Sequence, residues 1–83
     1  MSWLVQWSEP GLHTLRRIHW RDAARVDAAV MRFAETGTGD VFRLSWDDHV
    51  TLRLRVRPYG VRLTYDRSGG VLTVWSVYEL PVL

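Results

Sequence analysis

Arginines at alternate positions are the residues of this chain with the clearest chemical potential. Arg53, Arg55 and Arg57 alternate with apolar residues in the stretch 50–57. Successive side chains of a β-strand point to opposite faces, so the three guanidinium groups are predicted to share one face. Arg62, on the next predicted strand, is expected on the same face. A guanidinium is a planar, permanently charged fork that fits phosphate oxygens. The pattern therefore predicts either a phosphate-binding surface or an ordinary solvated sheet face.

Such a surface can stabilise negative charge, but it does not transfer protons, because a guanidinium keeps its proton at ordinary pH. An acid–base residue must come from elsewhere. His49 has the sequence parity of the arginines, and Tyr78 lies near the end of the last predicted strand. These two residues are the candidates within reach of the face. Each also has a structural interpretation, His49 as a turn residue beside Asp47 and Asp48, and Tyr78 as a strand-end packing residue.

Length and composition narrow the class of protein. A chain of 83 residues predicts a single domain, residues 1–83. The absence of cysteine excludes disulfides and thiolate metal sites and suits a reducing cytoplasm. The three histidines lie too far apart in sequence for metal-ligand spacing, so we expect no metal and no cofactor. No apolar run reaches the ~18 residues of a membrane span, and there is no signal-peptide pattern, so we expect a cytoplasmic protein without a membrane partner.

The charge balance is only weakly informative by itself. The formal net charge is +2, yet the sequence pI is about 9.7, because all 11 basic residues are arginine. A charge of this size does not establish a nucleic-acid partner. The placement of the arginines has to carry that inference.

The elements that must position these residues follow from periodicity and from capping signals. A strand is predicted to end at Trp7, with Ser8 as the cap of a helix from about Pro10 to Ile18. A second helix is predicted to begin near Trp20 or Arg21 and to stop at Gly37. Its apolar residues recur three or four positions apart and predict one buried stripe. They are Ala23, Val26, Val30, Phe33 and Ala34.

The remaining chain predicts four strands: Val41–Trp46, Val50–Arg57, Val61–Arg67 and Val71–Leu80. The turns between them are assigned to Asp47-Asp48, to Pro58-Tyr59-Gly60 and to Ser68-Gly69-Gly70. The last strand is apolar on both faces and is predicted to lie inside the sheet. The fold class is therefore α+β, in the order β-α-α-β-β-β-β, with two N-terminal helices on one face of a mainly antiparallel sheet. The five tryptophans are assigned mostly to the core, although an exposed Trp75 would be able to stack on a base.

The order of elements and the stretch 53–65, RLRVRPYGVRLTY, resemble the RelE/ParE toxins of bacterial type II toxin–antitoxin systems. That family often shows alternating basic and apolar residues, a turn with glycine, and an Arg-apolar-x-Tyr strand. Six positions match this pattern without a gap. They are Arg55, Arg57, Gly60, Arg62, Leu63 and Tyr65.

The resemblance implies one of two activities. RelE-like members cut messenger RNA in the ribosomal A site, and ParE-like members inhibit DNA gyrase. In the nucleases two lysines and an arginine surround the scissile phosphate, and Arg53, Arg55 and Arg62 occupy those places. Arg57 matches a further basic position. We therefore expect an mRNA endoribonuclease with Arg53, Arg55, Arg62 and Tyr78 as catalytic candidates, and with Arg57 and His49 as further nucleic-acid contacts.

The sequence departs from the nuclease pattern near its C-terminus. RelE-like nucleases carry a further basic residue just after the last strand, where this chain has Glu79 and Leu80. A gyrase inhibitor, or an inactive relative that only binds, therefore stays an alternative. In every case the resemblance implies a cognate antitoxin as partner, with the ribosome and mRNA, or gyrase, as target. It also implies that the toxin–antitoxin complex binds operator DNA through the antitoxin.

Overall fold

The computed structural model describes residues 2–44, 49–66 and 68–81, and it contains two helices and five strands within them. In chain order the elements are β1 (Leu4–Trp7), α1 (Glu9–Arg16), α2 (Trp20–Thr36), β2 (Val41–Arg43), β3 (His49–Val56), β4 (Tyr59–Asp66) and β5 (Val71–Glu79). This is the predicted order, and the predicted α+β fold class is confirmed. None of the helices in the described ranges is long and apolar enough to cross a membrane.

The strands form one sheet in the order β1-β5-β4-β3-β2. Strands β2 to β5 pair antiparallel, and β1 pairs parallel to β5. The predicted inner position of β5 is confirmed, since β5 lies between β1 and β4. Because β1 is joined to the rest of the sheet only through β5, the first and last strands of the chain fix each other.

The hydrophobic core lies between the helices and one face of the sheet, which we call the inner face. From α2, Val26, Val30, Phe33 and Ala34 are buried, as the predicted stripe requires. The sheet supplies the alternate residues of three strands. They are Val50, Leu52 and Leu54 of β3, Tyr59, Val61 and Leu63 of β4, and Leu72, Val74 and Val77 of β5. The opposite face, which we call the outer face, carries the arginines.

The start of α1 and the end of α2 are each fixed by a capping residue. The side chain of Ser8 caps α1 by accepting a hydrogen bond from the Gly11 N–H at 3.0 Å. Gly37 ends α2 in the left-handed region, at φ 74°, where a residue without Cβ is favoured. Helix α1 is shorter than predicted and ends at Arg16 rather than at Ile18. The predicted capping residues Ser8 and Gly37 are confirmed, whereas the predicted end of α1 is wrong.

Helix α1 covers the part of β5 that β1 does not reach. The register of β1 with β5 ends at the pair Trp7–Val74. Beyond it, the hydroxyl of Ser8 donates to the Val74 carbonyl at 2.7 Å, and the Val77 N–H donates to the Thr14 hydroxyl at 2.8 Å. Backbone polar groups that lose their strand partner in a half-buried place need such substitutes. The Ser8 N–H also donates to the Val74 carbonyl at 3.0 Å, so the N-cap residue of α1 and the Thr14 hydroxyl within α1 together complete the β5 edge.

Two predicted strand boundaries are wrong by two residues or more. Strand β2 ends at Arg43, and β4 begins at Tyr59, because Tyr59 and Gly60 already pair with Val56 and Arg55. The predicted turn of Pro58-Tyr59-Gly60 is thus reduced to Arg57-Pro58. Aromatic Tyr59 continues the inward alternation of Val61 and Leu63, which outweighs the turn preference of its neighbours. The predicted Asp47-Asp48 turn lies outside the described residues.

A β-bulge interrupts β5. Arg62 pairs with Ser76 and Leu63 pairs with Val74, so Trp75 is the additional residue on β5. Val74 and Val77 both point into the core as a result, although they are three positions apart. The assignment of the tryptophans mostly to the core is wrong for Trp20, which is 69% exposed, whereas Trp75 is 44% exposed, the alternative that the sequence left open for it. Trp3 and Trp7 pack against the core, and Trp46 lies outside the described residues.

Candidate nucleic-acid interface

Arg53 and Arg62 lie directly opposite each other on neighbouring strands. Strand register pairs Arg53 of β3 with Arg62 of β4, and extends the row to Phe42 of β2 and Ser76 of β5. Side chains of directly opposed residues on an antiparallel pair are about 4.5–5.5 Å apart at Cβ. The two guanidinium groups that the sequence predicted on one face are therefore neighbours in the middle of the outer face.

This arginine pair is not neutralised within the described residues. No carboxylate there forms a salt bridge or hydrogen bond with either side chain. The Nε of Arg53 is buried and has no hydrogen-bond partner in that part of the chain. Like charges placed directly opposite on a sheet are destabilising, and a buried donor without an acceptor adds to the cost. An arrangement that costs stability is expected where an anionic ligand completes it.

Arg55, by contrast, already has an anionic partner. Its Nε and Nη2 donate to the two carboxylate oxygens of Asp40 at 2.9 and 3.1 Å, the two-pronged geometry that guanidinium favours. Its Cζ also lies 4.6 Å from the ring centroid of Phe42. Asp40 is held in turn, because its carbonyl accepts from the Arg55 N–H at 2.8 Å. Arg55 lies on the predicted face, but its charge is largely compensated.

The four arginines Arg53, Arg55, Arg57 and Arg62 line two different grooves. Arg53, Arg55 and Arg57 line a groove of about 620 Å³ together with four largely apolar neighbours, which are Phe42, Pro58, Leu80 and Pro81. Arg62 lines a second groove of about 570 Å³, with Thr64, Trp75 and Ser76. The opposed pair Arg53–Arg62 separates the two. The structure thus gathers the arginines on one face but divides them between the apolar groove and a second groove lined by Trp75 and two hydroxyl residues.

Tyr78 lies across Gly60 on the outer face. The two residues are register partners, and a Cβ placed on Gly60 would lie 2.7 Å from Cζ of the Tyr78 ring. Gly60 in turn pairs with Arg55 on its other side. Tyr78 therefore lies in the row of outer-face residues next to the row that contains Arg53 and Arg62. Strand β3 begins at His49, which pairs with Asp66, but the side chain of His49 lies outside what the structure describes.

A network from α2 holds the turn that carries Arg57. The Tyr59 hydroxyl donates to Asp22 Oδ2 at 2.8 Å, and Arg25 bridges from Asp22 to the Arg57 carbonyl, with distances of 3.3 and 2.8 Å. The hydrogen bond from Tyr59 holds the pKa of Asp22 below its ordinary value, and the same bond raises the pKa of Tyr59. These residues fix the β3–β4 turn from the core side and take no part in the outer face.

Sequence reasoning missed two contributors to the candidate interface. The first is Phe42, which lies beside Arg53 and near the Arg55 guanidinium. The second is Asp40, which compensates Arg55. Both depend on the register of β2 and its preceding loop against β3, which the alternation within one strand does not give. The exposure of Trp75 was foreseen as one alternative, but the bulge that accompanies it was not. Among the described residues no group of three or more His, Asp or Glu residues is arranged to hold a metal ion.

The fold is that of the RelE-like class. A chain of the archaeal RelE–RelB complex from Pyrococcus horikoshii OT3 superposes with a TM-score of 0.81 at 15% sequence identity, over 95% of this chain and 96% of that one. A chain of the toxin–antitoxin complex RelBE2 from Mycobacterium tuberculosis gives a TM-score of 0.66 at 17% identity, over 96% and 100%. No protein-family model and no curated protein matches the sequence. The fold implied by the RelE/ParE resemblance is thus confirmed by structure alone.

Proposed function

We propose that this protein is the toxin of a type II toxin–antitoxin pair and that it cuts messenger RNA in a ribosome-dependent reaction. The observation that carries the proposal is the opposed pair Arg53–Arg62, which has no acid partner among the described residues. The fold supports it, because both similar structures are toxin–antitoxin complexes. Such a toxin acts on ribosomes, so its place is the cytoplasm.

The chemistry assigned to the arginine pair is stabilisation of charge. Attack of a ribose 2′-hydroxyl on the neighbouring phosphate places extra negative charge on the phosphate oxygens. Arg53 and Arg62 would hold those oxygens from two adjacent strands. Arg55 and Arg57 would add positive potential along the neighbouring groove, and His49 is a further candidate contact with the RNA backbone.

Proton transfer in the proposed reaction requires a group other than arginine. Tyr78 is the candidate acid–base group, because its ring is held over Gly60 beside the arginine pair. No second acid–base side chain adjoins it among the described residues with a hydrogen bond that would activate it. Dependence on the ribosome follows, since a ribosome would position the RNA and restrict the attacking hydroxyl.

An antitoxin is the proposed partner. The similar structures are complexes of RelE with RelB and of RelBE2, and a toxin of this kind would require a neutralising partner. The partner should bring carboxylates to the outer face, because burying unpaired arginines is costly. Binding of operator DNA by the complex would then be a property of the antitoxin. Growth arrest on expression without a partner, relieved by co-expression of the neighbouring gene product, is the expected cellular result.

The decisive experiment maps mRNA 5′ ends in a translating extract. Arg53→Ala and Arg62→Ala should each remove about 2–4 kcal/mol of transition-state stabilisation, hence roughly 30- to 1000-fold in cleavage rate. The melting temperature should hold or rise in both variants, since each relieves the repulsion of the pair. Arg32→Ala, on the exposed side of α2, is the matched control and should cut like the wild type. Normal cleavage by both outer-face variants would refute the assignment.

Gyrase inhibition is the second candidate. The observation that favours it is at the end of β5, where Glu79 is exposed and Leu80 lines the apolar groove, in places where a nuclease of this kind carries a basic residue. An inhibitor predicts blocked supercoiling with purified gyrase and no A-site cuts. An inactive relative that only binds predicts neither effect.

A further inference from the structure

The groove beside Arg62 has the components of a nucleotide subsite. It measures about 570 Å³ and is lined by Arg62, Thr64, Trp75 and Ser76. These residues supply a cation, an aromatic surface and two hydroxyls. Arg62 is exposed and has no ion pair among the described residues, so its charge is available to a ligand. The groove lies on the outer face, on the side of Arg62 away from the apolar groove.

The Trp75 indole is held in place rather than merely exposed. Its Nε1–H donates to the Thr64 hydroxyl at 2.6 Å, which ties it to β4 across the strand pair. The bulge adds one residue to β5 at this position, and bulges often redirect a side chain next to a functional site. A large aromatic ring that is 44% exposed and fixed by its only polar atom presents a rigid apolar surface to solvent.

Comparison with Trp20 shows what distinguishes Trp75. Trp20 is more exposed, at 69%, but its ring is stacked against His19 at 5.8 Å between centroids and lies 5.2 Å from the Arg21 Cζ. The ring of Trp20 therefore already has partners from its own helix. No ring or cation contact to Trp75 occurs within the described residues. The Trp75 ring is open to a planar ligand.

We infer that Trp75 is a stacking platform for one base of single-stranded RNA, adjacent to the phosphate held at Arg62. Arg62 and Thr64 are two residues apart on β4, about 7 Å along the strand, a separation that a single nucleotide can bridge from phosphate to base. Bases stack on aromatic side chains with little sequence preference, because every base has a π-face. The Thr64 hydroxyl accepts from the indole, which leaves its own proton to donate to a ribose or base oxygen. This inference rests on the proposed function and specifies its substrate contact.

The test distinguishes binding of the base at Trp75 from binding of the phosphate at Arg62. Binding of a short single-stranded RNA that lacks the 2′-hydroxyl at the cleavage position is measured by fluorescence anisotropy, for an intact oligonucleotide and for one with an abasic site at each position in turn. Trp75→Leu should weaken binding of the intact RNA by roughly 5- to 150-fold, the range for one stacked base. Trp75→Phe should restore most of that loss. Trp20→Leu is the matched control and should bind like the wild type.

The abasic series identifies the stacked base. One abasic position should weaken wild-type binding and have no further effect in Trp75→Leu, because base and ring are lost from the same contact. In the wild type, adenosine without phosphate should shift the indole N–H resonance of Trp75. Ribose 5-phosphate should bind to the wild type and should lose that binding in Arg62→Ala. Melting curves establish that each variant is folded, and the resonance shift tests the inference without any variant.

The outcomes distinguish this inference from the proposed nuclease. Binding that depends on Trp75 without A-site cuts supports the subsite and refutes the nuclease. Cuts that depend on Arg62, with equal RNA affinity for the wild type and Trp75→Leu and no indole shift with adenosine, refute the subsite alone. Loss of antitoxin binding in Trp75→Leu with unchanged RNA affinity also refutes it and makes the ring a protein contact.

Discussion

At the scale of single residues, Gly60 determines where the Tyr78 ring can lie. In Gly60→Ala the new Cβ would lie 2.7 Å from Cζ of the ring, and the ring would have to move. Because Tyr78 is only half-buried, the free energy of unfolding should fall by about 1 kcal/mol or less, below the usual cost of overpacking a core. Cleavage should fall in the same direction as in Tyr78→Phe, for which a lost acid–base group predicts roughly 10²- to 10⁴-fold. Cleavage rates and melting curves of both variants provide the check.

The matched control is Gly69→Ala in the β4–β5 turn. A Cβ there would meet Asp66 at an ordinary 3.5 Å, and the φ of Gly69 is not positive. This variant should fold and cut normally. Full activity in Gly60→Ala would mean that the position of Tyr78 does not matter to the reaction.

The residues of the candidate interface were partly predictable from sequence. The alternation of Arg53 and Arg55 correctly indicated one face, since strand parity is a local property, and Arg57, in the turn after β3, lines the same groove. The opposition of Arg53 and Arg62 was not predictable, because the β3–β4 register depends on a turn that is one residue shorter than the sequence suggested and begins one residue earlier. Compensation of Arg55 by Asp40 depends on the packing of a loop against β3, which leaves no local pattern.

At the scale of elements, α1 is held to β5 by hydroxyl groups. Thr14→Val would leave the Val77 N–H without its acceptor in a place where Val77 is 5% exposed. An unsatisfied buried donor costs about 1–3 kcal/mol, so the melting temperature should fall by roughly 4 °C or more. Thr14→Ser retains the hydroxyl and is the control. Equal melting temperatures for the valine and serine variants would show that the bond contributes nothing.

The link between the α2–β2 loop and β3 has an electrostatic consequence. Asp40→Asn would release the Arg55 guanidinium at little cost in stability, since an exposed ion pair contributes about 0.2–1 kcal/mol. If RNA lies on this face, one further phosphate contact becomes available, and the slope of log K against log salt should steepen by about 0.7. RNA titrations between low and moderate salt measure this slope.

Asp27→Asn is the control for Asp40→Asn, because it makes the same change of charge on the exposed side of α2. Its salt slope should match that of the wild type. An unchanged slope in Asp40→Asn would place the RNA away from Arg55.

At the scale of the whole molecule, the Tyr59–Asp22 bond makes stability depend on pH. The Tyr59 hydrogen bond lowers the pKa of Asp22 in the folded state below the ordinary 3.8, so the unfolded chain takes up a proton first as the pH falls. The contribution is complete above pH 3.8 and is lost as the pH falls through the lowered folded value. Because the pKa of Tyr59 is raised above 10.0, the contribution from Tyr59 is complete below that pH and is lost as the pH rises through the raised value.

Tyr59→Phe should therefore show a shallower loss of stability in acid than the wild type. Urea unfolding at a series of pH values from neutral into the acid range measures the difference. Tyr65→Phe is the control, since the Tyr65 ring stacks on Trp3 at 5.1 Å and its hydroxyl forms no hydrogen bond within the described residues. Identical acid limbs for Tyr59→Phe and the wild type would contradict the linkage.

The bulge residue Trp75 also determines how this fold would respond to deletion of one residue from β5. Removing Trp75 would bring Ser76 next to Val74 and restore regular inside–outside alternation from Leu72 to Val77, so pairing with β4 has no need of the insertion. On the other edge the Val74 carbonyl and the Val77 N–H are bound to Ser8 and Thr14, at a separation that includes the insertion. Deletion of Trp75 would therefore preserve the pairing of β5 with β4 but disturb its hydrogen bonds with Ser8 and Thr14. The length of β5 is therefore constrained by α1, which precedes it by more than fifty residues.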